Sequence, residues 1–258
     1  MSESLFAISL SLLFIVVVSL IFAVNKKLKS KMLILEKIAV ITLIPTILVT
    51  VFWGVTSSLN EKRFKDNKLY MAYKYLELGN YSEALKRSER LLDLNPKDVQ
   101  VVQLNALAKL LSGQVKDAET LLSAFEMEND LSDREQVILN DVEALVKVAQ
   151  GQWENEAVNL SDSEKEELNK NLQAREEYII QEAKEIGKDS MERLKLSDRK
   201  IQKFNRMVEI DHILDNGDGD IREKEGELKK LAIEYRNDED IKKLQTKFYM
   251  KTNNYDAA

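Results

Sequence analysis

The sequence predicts an all-α protein in which two N-terminal transmembrane helices precede an array of helical hairpins, an α-solenoid. Three observations lead to this fold class. Two long apolar runs open the chain, and the remaining residues are rich in Leu, Glu, Lys and Ala, with only two prolines in the whole sequence. A short polar phrase containing glycine then recurs at intervals of 34 and 38 residues. We therefore expect almost no β-sheet.

The first apolar run, residues 5–24, contains no charged residue. At about 1.5 Å per residue, a helix of this length reaches roughly 30 Å, the thickness of the hydrocarbon core of a bilayer. A cleaved signal peptide is the alternative, but the lysines follow the run and no small-residue cleavage pattern is present. This run predicts a transmembrane helix.

The second apolar run, residues 38–55, is long enough for a second span and ends near Trp53, a residue type that anchors helices at membrane interfaces. Pro45 is expected to kink it. The loop at residues 25–37 is rich in lysine, so the positive-inside rule predicts a cytoplasmic loop and an extracytoplasmic body. The basic residues that follow the second run favour the opposite orientation. Residues 1–56 are thus predicted to anchor the chain in a bacterial plasma membrane.

Charge and composition exclude several functional classes. Residues 1–58 carry a net charge of +3 and the remainder −9, which opposes nucleic-acid binding. The chain has no cysteine, which excludes disulfides, thiolate metal sites and cysteine nucleophiles. Its single histidine, His212, has no second histidine with which to bind a metal or form a catalytic pair, and no phosphate-binding or hydrolase motif occurs. We expect no enzymatic activity and no cofactor.

The recurring phrase is marked by three glycines, each between two helical apolar patterns, which predicts a helix, a tight turn and a second helix. Glycine permits the backbone turn after the first helix, and small alanines let the two helices approach closely. A bulky residue two positions after each glycine fills the wedge between them, and a proline ends the second helix of the first unit. These signature residues are Ala72, Gly79, Tyr81, Ala84, Pro96, Ala106, Gly113, Val115, Ala118, Ala144, Gly151 and Trp153.

This order of small, glycine, aromatic, small and proline residues resembles the tetratricopeptide repeat family, whose period is 34 residues. The pattern is best kept in residues 65–98, less well in 99–132, and fades in a third unit that starts near residue 137. The resemblance implies a repeat domain over residues 57–160. A generic array of helical hairpins is the alternative, and its architecture would hardly differ.

The family resemblance also implies a concave groove lined by the first helix of each repeat. Carried over position by position, the groove residues are Leu69, Tyr73, Leu76, Gln103, Leu107, Leu110, Leu111, Asp141, Leu145 and Val148. This surface is mostly apolar, which suits an amphipathic helix of a partner protein. The alternative is that the C-terminal helices of the chain fill the groove, which makes these residues part of the core.

Residues 161–258 are predicted to form long charged helices that continue the stack. Ser161 and Glu164 have the spacing of a capping box, and apolar stripes follow at helical spacing. The turn at residues 214–225 matches a calcium-binding loop at several positions, but its first position is Leu214, whose side chain has no oxygen. A helix-to-helix turn is therefore favoured over a metal site.

Two main functions remain open at this point. The first is a membrane-anchored scaffold or assembly factor that binds other proteins through the groove; its architecture is similar to that of the membrane-anchored tetratricopeptide factors of c-type cytochrome maturation. The second is a structural or accessory subunit of a multi-protein membrane complex, with the groove self-filled. A calcium-responsive sensor rests only on the incomplete loop. The expected partners are other proteins and the lipid bilayer, with no nucleic acid.

Overall fold

The computed structural model describes residues 34–152, 161, 163, 164, 166, 171–217 and 221–252, with side chains from Gly54 on. Over these residues every regular element is a helix, in agreement with the composition. Contacts divide the chain into two units, Met1–Arg63 and Phe64–Ala258.

The structure describes the following helices in chain order. They are α1 (Ile34–Glu77), α2 (Tyr81–Leu94), α3 (Val99–Leu111), α4 (Val115–Glu128), α5 (Asp133–Ala149), α6 (Leu172–Arg193), α7 (Asp198–Asn216), α8 (Ile221–Glu234) and α9 (Glu239–Lys251). Helices α1, α3 and α5 are the first helices of the three predicted units, and α2 and α4 are the second helices of the first two. Trp153 and the segment 253–258 lie outside the described residues.

The predicted membrane anchor is not supported. In the part of the chain that the structure describes, no helix is both long enough and apolar enough to cross a membrane. The second predicted span, residues 38–55, is not a separate element, because α1 continues through Pro45 and onward to Glu77 along a segment rich in charged residues. The first predicted span, residues 5–24, lies outside the described residues. Three predictions were therefore wrong: the two transmembrane helices of the fold class, the integral-membrane localisation, and the bilayer as a partner.

The three repeat glycines end their helices in the same way. Gly79, Gly113 and Gly151 have φ values of +81°, +78° and +77°. After α1, the N–H of Asn80 donates to the Tyr75 carbonyl at 2.9 Å, and the N–H of Gly79 donates to the carbonyl three residues earlier at 3.0 Å. The same pair of bonds follows α3 and α5, and it forms the Schellman motif, whose left-handed residue is least costly as glycine.

Side-chain caps start the next helices. The Oδ1 atom of Asn80 accepts from the Glu83 N–H at 3.2 Å, so one residue both closes the turn after α1 and caps α2. Asp98 caps α3 by accepting from two backbone N–H groups. In the C-terminal region, the Ser161 N–H donates to Glu164 Oε2 at 2.8 Å, as the capping-box spacing predicts.

The alanines of the repeat pattern are buried in the packed helices. Ala72, Ala84, Ala106 and Ala118 are fully buried, and Ala144 is partly buried against the core. Helix α3 packs between α2 and α4, and α5 packs against both α3 and α4. The small side chains allow this close approach of helix axes.

The C-terminal helices contact the beginning of the array as well as its end. The Tyr70 hydroxyl on α1 donates to Asn205 Oδ1 on α7 at 2.9 Å, and Lys68 Nζ on α1 lies 3.2 Å from Asp240 Oδ1 on α9. Helix α6 packs against α3 and α5. This arrangement differs from a linear stack, in which each repeat contacts only its neighbours.

The Schellman glycines should tolerate alanine poorly. No heavy atom lies within 4 Å of a Cβ built at Gly79 or at Gly226, which is inside α8, so only the backbone distinguishes the two positions. We expect Gly79→Ala to lower the free energy of unfolding by about 1 kcal/mol, and Gly226→Ala to raise it by roughly 0.5–1 kcal/mol. Urea denaturation of the full chain measures both, and changes of the same sign would contradict the assignment.

Candidate protein-binding surfaces

The predicted groove residues are brought together by α1, α3 and α5, but they are not open to solvent. Asp141 is exposed and Leu111 is partly buried. The others, which are all buried, are Leu69, Tyr73, Leu76, Gln103, Leu107, Leu110, Leu145 and Val148. Eight buried positions out of ten mean that another part of the chain covers this face.

Helix α6 covers it. Gly187 of α6 lies against α1: a Cβ at this position would be 3.5 Å from Tyr73 Cδ1 and 3.8 Å from Leu76 Cδ2. One turn later, the Ser190 hydroxyl donates to Gln103 Oε1 on α3 at 2.9 Å. Because α6 also packs along α5, it contacts the first helix of all three units. An intramolecular helix thus occupies the place predicted for a partner's helix.

The residues of α6 that face the array are small or aliphatic. Its buried positions are Ile179, Ala183, Gly187 and Ser190, which recur every three or four residues and therefore form one stripe. Glycine and alanine at the crossing let α6 approach α1 and α3 closely.

Gln103 is the polar centre of this contact. Its side chain is fully buried, and its Oε1 atom accepts from the Tyr73 hydroxyl at 3.1 Å and from the Ser190 hydroxyl at 2.9 Å. Its Nε2 atom donates to the Ile138 carbonyl of α5 at 3.1 Å. Burial raises the pKa of Tyr73 well above its ordinary value, so the phenol stays protonated and remains a donor. One amide therefore bonds to α1, α5 and α6 from its place on α3.

A second surface, not foreseen from the sequence, is a charged cleft between α1, α2, α7 and α9. Its volume is about 540 Å³. Six basic and four acidic side chains line it; the basic ones are Lys68, Lys86, Arg87, Arg90, Lys243 and Lys247, and the acidic ones are Glu83, Asp211, Asp215 and Asp240. We call this surface the charged cleft.

The floor of the charged cleft is held by Asp211, which is buried. Its carboxylate accepts a hydrogen bond from the Tyr75 hydroxyl and another from Lys247 Nζ at 2.5 Å. The Arg87 guanidinium lies 3.7 Å from the same carboxylate and 4.4 Å from the centre of the Tyr75 ring. Burial raises the pKa of Tyr75, so its hydroxyl keeps the proton that it donates.

A second carboxylate, Asp215, extends this network along α7. Burial alone would raise the pKa of Asp215, but hydrogen bonds from Lys251 and Lys247 lower it overall. Lys247 thus bridges two carboxylates of α7, which fixes α9 beside α7.

Sequence reasoning missed the charged cleft because its walls come from helices more than a hundred residues apart in the chain. The only local signal was the group of basic residues Lys86, Arg87 and Arg90 on α2, and in a sequence such residues are indistinguishable from a solvated helix face.

The metal-binding candidates do not assemble in the described residues. No group of three His, Asp or Glu side chains there is placed to hold a metal ion. His212 lies on α7, and its Nδ1 atom is 2.9 Å from the Asn216 amide nitrogen. Gly217 ends α7 with a φ of +74°, whereas residues 218–220 of the predicted calcium loop lie outside the described part of the chain.

A family model described as the tetratricopeptide repeat matches residues 75–134. The matched segment begins in the last turn of α1 and ends at the start of α5, so it spans α2, α3 and α4. The predicted resemblance is confirmed for this segment, and it suggests a protein-interaction role. No curated protein and no solved structure matches the chain.

Replacing the Gln103 amide by an apolar side chain should destabilise the fold. We expect Gln103→Leu to lower the free energy of unfolding by about 2 kcal/mol, because the buried Ser190 hydroxyl loses its acceptor and the Tyr73 hydroxyl keeps only the Gln100 carbonyl. Gln100→Leu, the same chemical change one turn earlier on α3, should shift it by no more than about 0.5 kcal/mol. Urea denaturation compares the two variants, and equal effects would contradict a special role for Gln103.

Proposed function

We propose that this chain is a protein-interaction scaffold, acting as an assembly factor or an accessory subunit of a multi-protein complex, and that its groove is permanently filled by α6. The observation that carries the proposal is the tetratricopeptide match over residues 75–134, together with the burial of the concave residues of α1, α3 and α5 by the chain itself. Partner proteins then bind on the outer surfaces of the helical body.

The cost of opening the groove supports a groove filled by α6 over one that is open to a partner helix. If a partner helix replaced α6, the aliphatic side chain of Ile179 would lose its burial, at roughly 1.5–3 kcal/mol for a fully buried side chain of this type. The Ser190 hydroxyl would leave Gln103, and an orphaned buried polar group costs about 1–3 kcal/mol. A partner helix would have to offset these terms before it bound with any net affinity.

Binding rather than catalysis is the natural use of such a body. The tetratricopeptide repeat is typically a non-enzymatic interaction module, and the match covers residues 75–134. Fold resemblance supports binding as a class, and the surface that does the binding has to be argued from its own residues.

The test uses a substitution that stabilises the packing of α6 in the groove. Gly187→Ala places a Cβ in ordinary contact with Tyr73 and Leu76 and removes a helix-interior glycine. Gly226→Ala makes the same change in α8, away from the groove. The tagged full chain and both variants are purified from the cells of origin, and the proteins retained in fixed stoichiometry are identified and quantified.

We expect the same partner to be retained equally by the wild type, Gly187→Ala and Gly226→Ala. A partner that competes with α6 would instead bind Gly187→Ala about fivefold more weakly, since strengthening α6 by about 1 kcal/mol opposes its displacement. That result would contradict the filled groove. A wild-type chain that retains no other protein would contradict the scaffold function itself.

A further inference from the structure

The charges of the charged cleft fall into two groups. All four carboxylates are paired with cations of the same cleft: Glu83 with Arg87 at 2.9 Å, Asp240 with Lys68 at 3.2 Å, and both Asp211 and Asp215 with Lys247. The acidic side chains are therefore neutralised inside the cleft, and they hold the cations nearest the floor in fixed positions.

The second group is a set of rim cations, which are Lys86, Arg90 and Lys243. Lys86 is largely exposed and its Nζ lies 3.3 Å from Glu83, which Arg87 already engages. Arg90 and Lys243 are exposed, and within the described residues neither has a carboxylate within ion-pair distance. The cleft thus presents unneutralised positive charge, although residues 59–258 carry a net charge of −9.

We propose that the charged cleft binds an acidic segment of a partner protein, with Arg90 of α2 and Lys243 of α9 contacting its carboxylates. This inference rests on the proposed scaffold function and adds the chemistry of the partner. Charge complementarity across an interface provides specificity and speeds association. An arginine at the rim suits the recognition, because its planar guanidinium donates two parallel hydrogen bonds to one carboxylate.

The size and lining of the charged cleft favour a peptide segment over other ligands. Its volume of about 540 Å³ lies among those of ligand-binding clefts, about 300–1,000 Å³, and suits a short stretch of chain better than a flat protein face. Small-molecule pockets are lined mainly by apolar side chains. Here ten of the fourteen lining residues are charged, and Met71, Met207 and Leu244 supply a small apolar floor.

The Asp211 network prepares the cleft for binding. Tyr75 and Lys247 are already bonded to this buried carboxylate, so the floor does not have to rearrange when an anion arrives. The rim cations stand on two different helices, so a bound segment would be held from both the α2 side and the α9 side.

The experiment measures binding of fluorescein-labelled hexaglutamate to the full chain by fluorescence anisotropy, with hexaglutamine as the neutral probe. We expect hexaglutamate to bind at low ionic strength and to weaken toward about 0.15 M salt, since exposed charges are screened over about 8 Å there. Hexaglutamine should not bind. Equal binding of both probes, or none of hexaglutamate, overturns the inference.

Two charge-reversed double variants locate the binding. Arg90→Glu with Lys243→Glu reverses two of the three rim cations. Lys116→Glu with Lys242→Glu reverses two exposed lysines outside the cleft, one of them adjacent to Lys243. Both change the net charge by the same amount. We expect the rim variant to bind hexaglutamate at least about tenfold more weakly and the control within about twofold of wild type. Equal losses would mean that only net charge matters, which overturns the inference.

The rim variant also separates this inference from the scaffold function. A native partner that the wild type retains and the rim variant loses, with circular dichroism spectra unchanged, supports the charged cleft as its docking surface. A partner retained equally by both overturns the cleft inference and leaves the scaffold function standing. The scaffold function itself would be contradicted by a different result, namely a wild-type chain that is purified without any other protein.

Discussion

The buried amide of Gln103 is the constraint on which the arrangement of the hairpins depends. Burying an amide is costly unless its oxygen and nitrogen are bonded, and the groups that bond to the Gln103 amide come from α1, α5 and α6. Apolar packing alone would accept many small rotations of these helices. The hydrogen bonds of one side chain select a single arrangement among them, because directional bonds are lost when the helices slide.

Helix α1 also links several helices of the body. It carries Tyr70, Tyr73 and Tyr75, and their hydroxyls reach α7, α3 and α7 in turn. The first helix of the array therefore contacts both its neighbour and the C-terminal region. In an open solenoid, stability is a sum over adjacent repeats. Because α1 is bonded to α7, the unfolding of the first hairpin and the unfolding of the C-terminal helices depend on each other.

The parts of the fold that could be predicted were those set by local physics. Gly79, Gly113 and Gly151 stand where the backbone needs a positive φ, and buried alanines stand where helices cross, so spacing alone reveals both. The occupant of the groove was left open, because Ser190 meets Gln103 across 87 residues and no periodicity encodes that pairing. The membrane anchor was predicted from the length of apolar runs, whereas α1 extends beyond the second run into the charged residues that join the helical body.

The turn after α1 has a consequence for how the hairpins can move. Asn80 uses its backbone N–H to close α1 and its side-chain oxygen to open α2, so no residue between the two helices is uncommitted. Large changes of interhelical angle need a few residues that can absorb changes in φ and ψ. The first hairpin has none, so the turn holds α1 and α2 at a fixed angle, and a residue inserted there would disrupt both helix ends at once.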